Sequence, residues 1–146
     1  MFWTASVKGQ TDSTILFEKA KGKLIYPLTK FSITANPFSD TNKLFLCGPN
    51  PGLSFITDQR DSVVSIYDGQ VAFISNTGER HCIIIRFGSY FITYFGLNVP
   101  FVFRGDKVTV GQVIGTVFQD DDSKGELELM ISHGEKLLDP KIWLKP

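Results

Sequence analysis

Residues 125–132 read GELELMIS, and the alternation in them is strict. Leu127, Leu129 and Ile131 fall on one side of an extended chain, and Glu126, Glu128 and Met130 on the other. A strand with one buried face has this period of two. Short runs rich in Val, Ile, Phe, Tyr and Thr recur through the chain, at 13–19, 23–28, 31–34, 43–47, 53–57, 62–67, 70–75, 81–87, 90–95 and 113–118. Between them stand turn-forming clusters such as NPFSD, GPNPG, YDG, NTGE, FRGD and DDDSKG. Helical periodicity is nowhere sustained beyond a turn or two. The pattern predicts an all-β fold, an antiparallel sheet forming a half-open barrel or sandwich. Alternation gives an expected core of Val71, Phe73, Ile83, Ile85, Leu127, Leu129 and Ile131.

A chain of 146 residues suits one domain that buries a core without a metal or disulfide staple. Residues 13–146 are expected to form it, with residues 1–12 as a flexible arm. NTGER at 76–80 and Gly88-Ser89 read as hairpin turns, so residues 70–95 are predicted to be a three-stranded antiparallel meander. Lys plus Arg and Asp plus Glu balance at 15 each, which speaks against a nucleic-acid surface or a polybasic membrane anchor. No run approaches the ~18 apolar residues of a transmembrane helix. The N-terminus has no apolar core of signal-peptide length. The compartment therefore stays open: periplasmic or extracytoplasmic if a leader was removed, cytoplasmic otherwise. Cys47 and Cys82 lie in apolar runs and read as buried free thiols, since two cysteines make neither a disulfide framework nor a zinc cluster.

Several segments then follow in a recognisable order: KGKLIYPL, SITANPF, GLSFI, SIYDGQVAFI, IIIRFGSYFITYFGL, VFRGDKVTVGQVIGTV, GELELMIS and LLDPKIWL. In this order, over about residues 20–146, the chain resembles the lysostaphin-like (LytM-type) peptidoglycan metalloendopeptidases and their murein-hydrolase-activator relatives. GDKVTVGQVIG, with DGQV before it and DPKIWL after it, carries most of the likeness. The same pieces also have structural readings of their own. Gly105-Asp106 and Gly111-Gln112 bracket a short strand with turn residues. Gly115 marks a bulge or a close backbone approach. Asp139-Pro140 turns the chain so that it ends against Trp143 and Leu144.

The resemblance implies a zinc ion held by two histidines and an aspartate, with an open position for the water that attacks a carbonyl. It puts the first histidine on Asn50, the aspartate on Ser54 and the second metal histidine on Glu128. The two catalytic histidines fall on Glu126 and Gly96. Asn and Ser are poor transition-metal ligands, and His81 and His133 flank different elements. The expectation is therefore no metal, no cofactor and no peptidase chemistry. What the resemblance leaves is a binding or regulatory module, an activator or scaffold in cell-envelope remodelling. Its partner would be a cell-wall hydrolase, another envelope protein or a peptidoglycan-like ligand. The expected binding set on the former groove is Asn50, Ser54, Arg86, Tyr90, Tyr94, Glu126 and Glu128. An ion pair of Arg86 with Glu126 or Glu128 would replace the metal's positive charge.

Two alternatives remain at this level. The first is a carrier or small-ligand-binding β module: biotinyl- and lipoyl-like carriers share the GD-x-V-x-x-GQ turns, but they display a lysine usually flanked by methionine, and no Met-Lys occurs here. A hydrolase with an unrelated site finds little support. Glu126 and Glu128 would point in parallel from one strand rather than flank a sugar, and there is no G-x-S-x-G elbow.

Overall fold

The computed structural model describes residues 13–33, 52–58 and 60–146. In chain order the strands are β1 Ser32–Ile33, β2 Leu53–Thr57, β3 Ser62–Val64, β4 Gly69–Thr77, β5 Arg80–Phe87, β6 Tyr90–Leu97, β7 Lys107–Val108, β8 Val113–Thr116, β9 Gly125–His133 and β10 Lys136–Leu138. A helix, α1, covers residues 13–19, and a single helical turn, α2, covers Pro140–Trp143. The main sheet runs β1-β2-β9-β6-β5-β4-β7, with β10 folded back on β9 and every pairing antiparallel. β3 and β8 form a separate two-stranded ribbon. Fold class and meander are as the sequence predicts. The β4–β5 turn is tighter than expected: only Gly78 and Glu79 separate the strands, and Gly78 takes φ 70.

The core lies against one face of the main sheet. Leu53, Phe55, Ile83, Ile85, Ile92, Tyr94, Leu127, Leu129 and Ile131 come from that face, and Val63 and Ile114 from the ribbon join the same cluster. Gly115 stands opposite Val63, at the register shift that separates the Val63 and Val64 pairings, in line with its reading as a bulge marker.

Phe73 breaks the expected core set. It is 39% exposed, whereas Val71 is 1% exposed. The cause is a bulge in β4. Val71 pairs with Ile85 but Phe73 pairs with Ile84, so Ala72 is the extra residue. One inserted residue sends the following side chains to the opposite face. Ile74, opposite Ile83, then takes the inward position. The unbroken apolar run in β5 has a related explanation. Ile83 and Ile85 enter the core, while Cys82 and Ile84 are buried on the other face, as in a strand covered on both sides.

Residues 13–19 are helical, not the strand expected from Ile15-Leu16-Phe17. Phe17 is fully buried, while Ile15 and Leu16 are exposed at 44% and 53%. Phe17 and Ala20, three apart, face the core, which is helical spacing. The Phe17 ring lies 4.6 Å from Tyr90, 5.0 Å from Trp143 and 5.1 Å from Tyr67, measured between centroids. Full burial of a phenylalanine stabilises by about 1.5–3 kcal/mol, enough to dock a two-turn helix. Residues 23–28 form no strand beyond an isolated parallel bridge between Leu24 and Leu144. That bridge closes the chain ends: Gly22 N–H donates to the Trp143 carbonyl at 2.9 Å, and Lys145 N–H to the Leu24 carbonyl at 2.9 Å. The Asp139-Pro140 turn is the cap of α2, with the Asp139 side chain accepting from Lys141 N–H. The run at 43–47 and residues 1–12 lie outside the described residues. Cys82 is buried as expected but is disulfide-bonded, not a free thiol. Sequence spacing carries no signal for such a bond, and Cys47 also lies outside the described residues.

Candidate functional site

The face of the main sheet turned away from the core is built in rows that follow from strand register. One row is Ser54, Glu128, Phe95, Cys82 and Ser75, across β2, β9, β6, β5 and β4. The next is Met130, Thr93, Ile84 and Phe73. A third is Ser132, Phe91, Arg86 and Gln70. On the other side of the first row, Ile56 stands opposite Glu126. The centre of this face is buried, at Cys82, Ile84, Thr93 and Met130. Its ends carry exposed charge, at Glu126 and Arg86.

Ser54 and Glu128 are direct cross-strand partners, so their Cβ atoms lie about 5 Å apart. The Ser54 hydroxyl donates to Glu126 Oε2 at 2.9 Å. Ser54, Glu126 and Glu128 are thus brought together on one face as expected, and Arg86 is on that face too. Asn50 lies outside the described residues.

The expected ion pair is not formed. Arg86 belongs to the Ser132 row, whereas Glu128 is four residues further back along β9 and two strands over. That is roughly 13 Å along the strands before the sideways offset, and Glu126 is farther still.

Tyr90 and Tyr94 point the other way. Tyr94 is fully buried in the core, and its hydroxyl accepts from Ile66 N–H at 2.9 Å. Burial pushes that hydroxyl up to about 12, from an ordinary 10.0. Tyr90 is buried between Phe17, Trp143 and the His133 ring, which stacks on it at 4.3 Å. Its hydroxyl donates to Glu18 Oε2 at 2.8 Å. Burial first, and then the Glu18 bond and charge, raise its pKa. The aromatics that β6 sends to the outer face are Phe91 and Phe95, both half-buried, and Phe73 of β4 shares that face. The segment YFITYF carries aromatics at both parities, so alternation alone did not separate them. The pairing with β9 would have: Tyr94 sits opposite Leu129, a core position, and Phe95 opposite Glu128.

The side chains present do not fit the zinc ion that the resemblance implies. At the implied positions stand the hydroxyl of Ser54, already bound to Glu126, and the carboxylate of Glu128. Gly96, where a catalytic histidine is implied, sits in a bulge of β6 with φ 105. A Cβ there would fall on the Glu126 carbonyl oxygen, so any side chain needs the backbone to move. The two imidazoles cannot supply the missing ligands. His81 pairs with Leu97 at one end of β6, and His133 pairs with Tyr90 at the other. Seven residues of strand between them put them roughly 23 Å apart. Among the described residues no group of three or more His, Cys, Asp or Glu is placed to hold a metal.

Comparison with known proteins agrees with this architecture. The sequence profile of Peptidase family M23 matches residues 48–140. No curated protein matches the chain at a significant level. Helicobacter pylori Csd3 superposes with a TM-score of 0.66 at 19% identity, covering 87% of this chain and 38% of its own. The chain thus spans well under half of that protein. The structure of the SpoIIQ–SpoIIIAH pore-forming complex superposes with a TM-score of 0.67 at 15% identity, covering 86% of this chain and 92% of that one. The catalytic domain of lysostaphin from Staphylococcus simulans gives 0.56 at 21% identity, covering 75% and 89%. Identities this low establish the shared fold.

Proposed function

The chain belongs to peptidase family M23, and on that premise we propose that it is a non-catalytic member whose former catalytic face binds a protein partner. The observation that carries this reading is the row formed by Ser54 and Glu128. The sheet geometry of the family is kept, while the donor set among the described residues is one carboxylate and one hydroxyl already bound to Glu126. The Gly96 bulge supports the same reading, because its Cβ direction is occupied by β9 backbone. In this role the domain is an activator or scaffold in cell-envelope remodelling, and the partner is a cell-wall hydrolase or another envelope protein. A neighbour of the same fold solved within a pore-forming complex supports an assembly role.

The recognition residues in this reading are Arg86, Phe91, Glu126 and Glu128, on the outer face with Ser54. Arginine and large aromatics dominate the energy of most interfaces, provided they are shielded from water once bound. The test is photo-crosslinked capture of the partner by the full chain, with Arg86→Ala and Glu128→Ala compared beside melting curves. Arg86→Ala is expected to weaken capture by more than ~1 kcal/mol, roughly fivefold, with the melting temperature unchanged. Capture equal to wild type for both variants, or peptide-bond cleavage in peptidoglycan by the purified protein, would overturn the proposal.

A further inference from the structure

Past Val71, β4 is an open edge of the main sheet. β7 meets β4 only at Gly69 and Gln70. The loop after Phe103 meets it at Val71, whose N–H donates to the Asp106 carbonyl and whose carbonyl accepts from Gly105 N–H, both at 2.8 Å. Among the described residues, no backbone group bonds to the far side of residues 73–77. We propose that this edge pairs with the same edge of a second copy of the chain, joining two sheets about a two-fold axis at Ser75.

Backbone direction fixes which groups are available. Thr77 and Arg80 close the turn made by Gly78 and Glu79, so Thr77 directs its N–H and C=O at β5. Directions alternate along a strand. Ser75 therefore faces β5 as well, while Ile74 and Asn76 direct their N–H and C=O groups away from it. The bulge at Ala72 reconciles this phase with Val71, which also bonds outward. An antiparallel copy centred on Ser75 sets Ile74 opposite Asn76 of the second copy, and Asn76 opposite its Ile74. Every outward N–H and C=O of these residues then has a partner. A shift by one residue sets outward groups against inward ones. A shift by two brings in Ala72 or the turn residue Gly78, neither of which is directed outward from an extended strand.

The length of the edge selects the occupant. Gly105 and Asp106 close the lane beside β4 at Val71, so a longer strand running past would meet that loop. In the centred register the copy leaves the lane at its own Gly78, level with Ala72, and turns back there toward its own β5. The edge also lacks the devices that keep sheets apart: residues 73–77, FISNT, include no charge and no proline. Apolar surface adds to the contact. Phe73 is 39% exposed, and Phe103, in the turn that closes the lane, is 78% exposed. Charge does not oppose the approach, since both sides carry mixed signs. The loop has Arg104, Asp106 and Lys107, and the hairpin tip has Glu79 and Arg80, whose guanidinium lies over the Phe118 ring.

Directly opposite residues of an antiparallel pair share a face, so both outer faces lie on the same side of the joined sheet. The row that holds Ser54, Glu128 and Ser75 continues across the axis into the same row of the second copy. The two Glu128 positions then stand seven strand spacings apart, roughly 34 Å. The dimer displays the outer face twice, side by side, and its pairing does not depend on what that face binds.

Sedimentation equilibrium of the full chain, with amide hydrogen exchange followed at low and high protein concentration, tests the pairing. The expected result is a reversible monomer–dimer equilibrium at or below about 1 mM. In the dimer the Ile74 and Asn76 amides should exchange at least about tenfold more slowly than in the monomer. Asn76→Pro removes an outward N–H without touching the bonds to β5, and proline is tolerated on a sheet edge. It should weaken dimerisation at least about tenfold while the melting temperature of the dilute protein stays unchanged. Asn76→Lys, which puts a charge on the edge, serves as the second variant if the proline variant does not fold. A chain that stays monomeric up to about 1 mM overturns the proposal. So do assemblies that grow beyond the dimer, a dimer in which both amides exchange as in the monomer, or a folded variant that dimerises as wild type does.

Discussion

The two faces of the main sheet are made by the same strands, one residue apart, and they obey different rules. On the inner face Leu127, Leu129, Ile131, Ile92, Tyr94, Ile83 and Ile85 are all buried, and the one hydroxyl among them is bonded. Burial of apolar area decides that face, and it is robust to which apolar residue is used. The outer face carries Ser54, Glu126 and Glu128 at one end, Arg86 at the other, and buried Cys82, Ile84, Thr93 and Met130 between them. Nothing in core formation requires a serine hydroxyl to face a glutamate there. The difference between the faces is therefore informative about function: what the fold does not demand is where a partner can be read.

The largest effect that sharpens this contrast is at Tyr94. Read as a groove residue, Tyr94→Ala would leave stability alone. Its burial instead predicts a loss of about 3–5 kcal/mol in denaturant unfolding. Tyr94→Phe should lose about 1–3 kcal/mol, because Ile66 N–H is left without its acceptor. A variant at Arg86, on the outer face, should unfold as wild type does.

Alkaline titration gives the next effect. The Tyr94 hydroxyl is raised from 10.0 to about 12 in the folded protein. The unfolded chain then releases its proton first, so the stabilising contribution is whole below pH 10 and falls as pH rises toward 12. The fall should amount to roughly 2–3 kcal/mol, and Tyr94→Phe should flatten it. Tyr90, shifted in the same direction, adds to the slope.

The smallest effect tests the bulge. Phe73→Ser should change stability by no more than about 0.5 kcal/mol, as exposed substitutions do. A loss comparable to that of a core truncation would place Phe73 inside and remove the parity change at Ala72.

Much of the fold was legible in the sequence because period-two burial leaves a direct trace. In β9 the inward residues Leu127, Leu129 and Ile131 read correctly, whereas Met130 and Ser132, on the face expected to stay outside the core, are buried as well. The turn at Gly88-Ser89 and the short β7 between its glycines also follow from local chemistry. The failures share a cause as well. Phe73 faces outward because of a bulge whose extra residue, an alanine, looks like any strand residue. α1 is fixed by tertiary docking of Phe17 on Trp143 and Tyr90, contacts from distant parts of the chain. Of the expected site, the acidic end is assembled as read, since Glu126 and Glu128 share a strand and Ser54 pairs across from it. Arg86 misses its carboxylate partners because row position depends on register, which single-strand patterns do not carry.

The central claim is that this member of the M23 family no longer works through zinc. It is tested most directly by measuring the metal content of the purified protein together with its melting temperature, before and after chelation. The account predicts no stoichiometric zinc and an unchanged melting temperature, because a metal bound only to the native state would raise it by mass action. One zinc per chain, with a melting temperature that drops on chelation and recovers on adding zinc back, would contradict it.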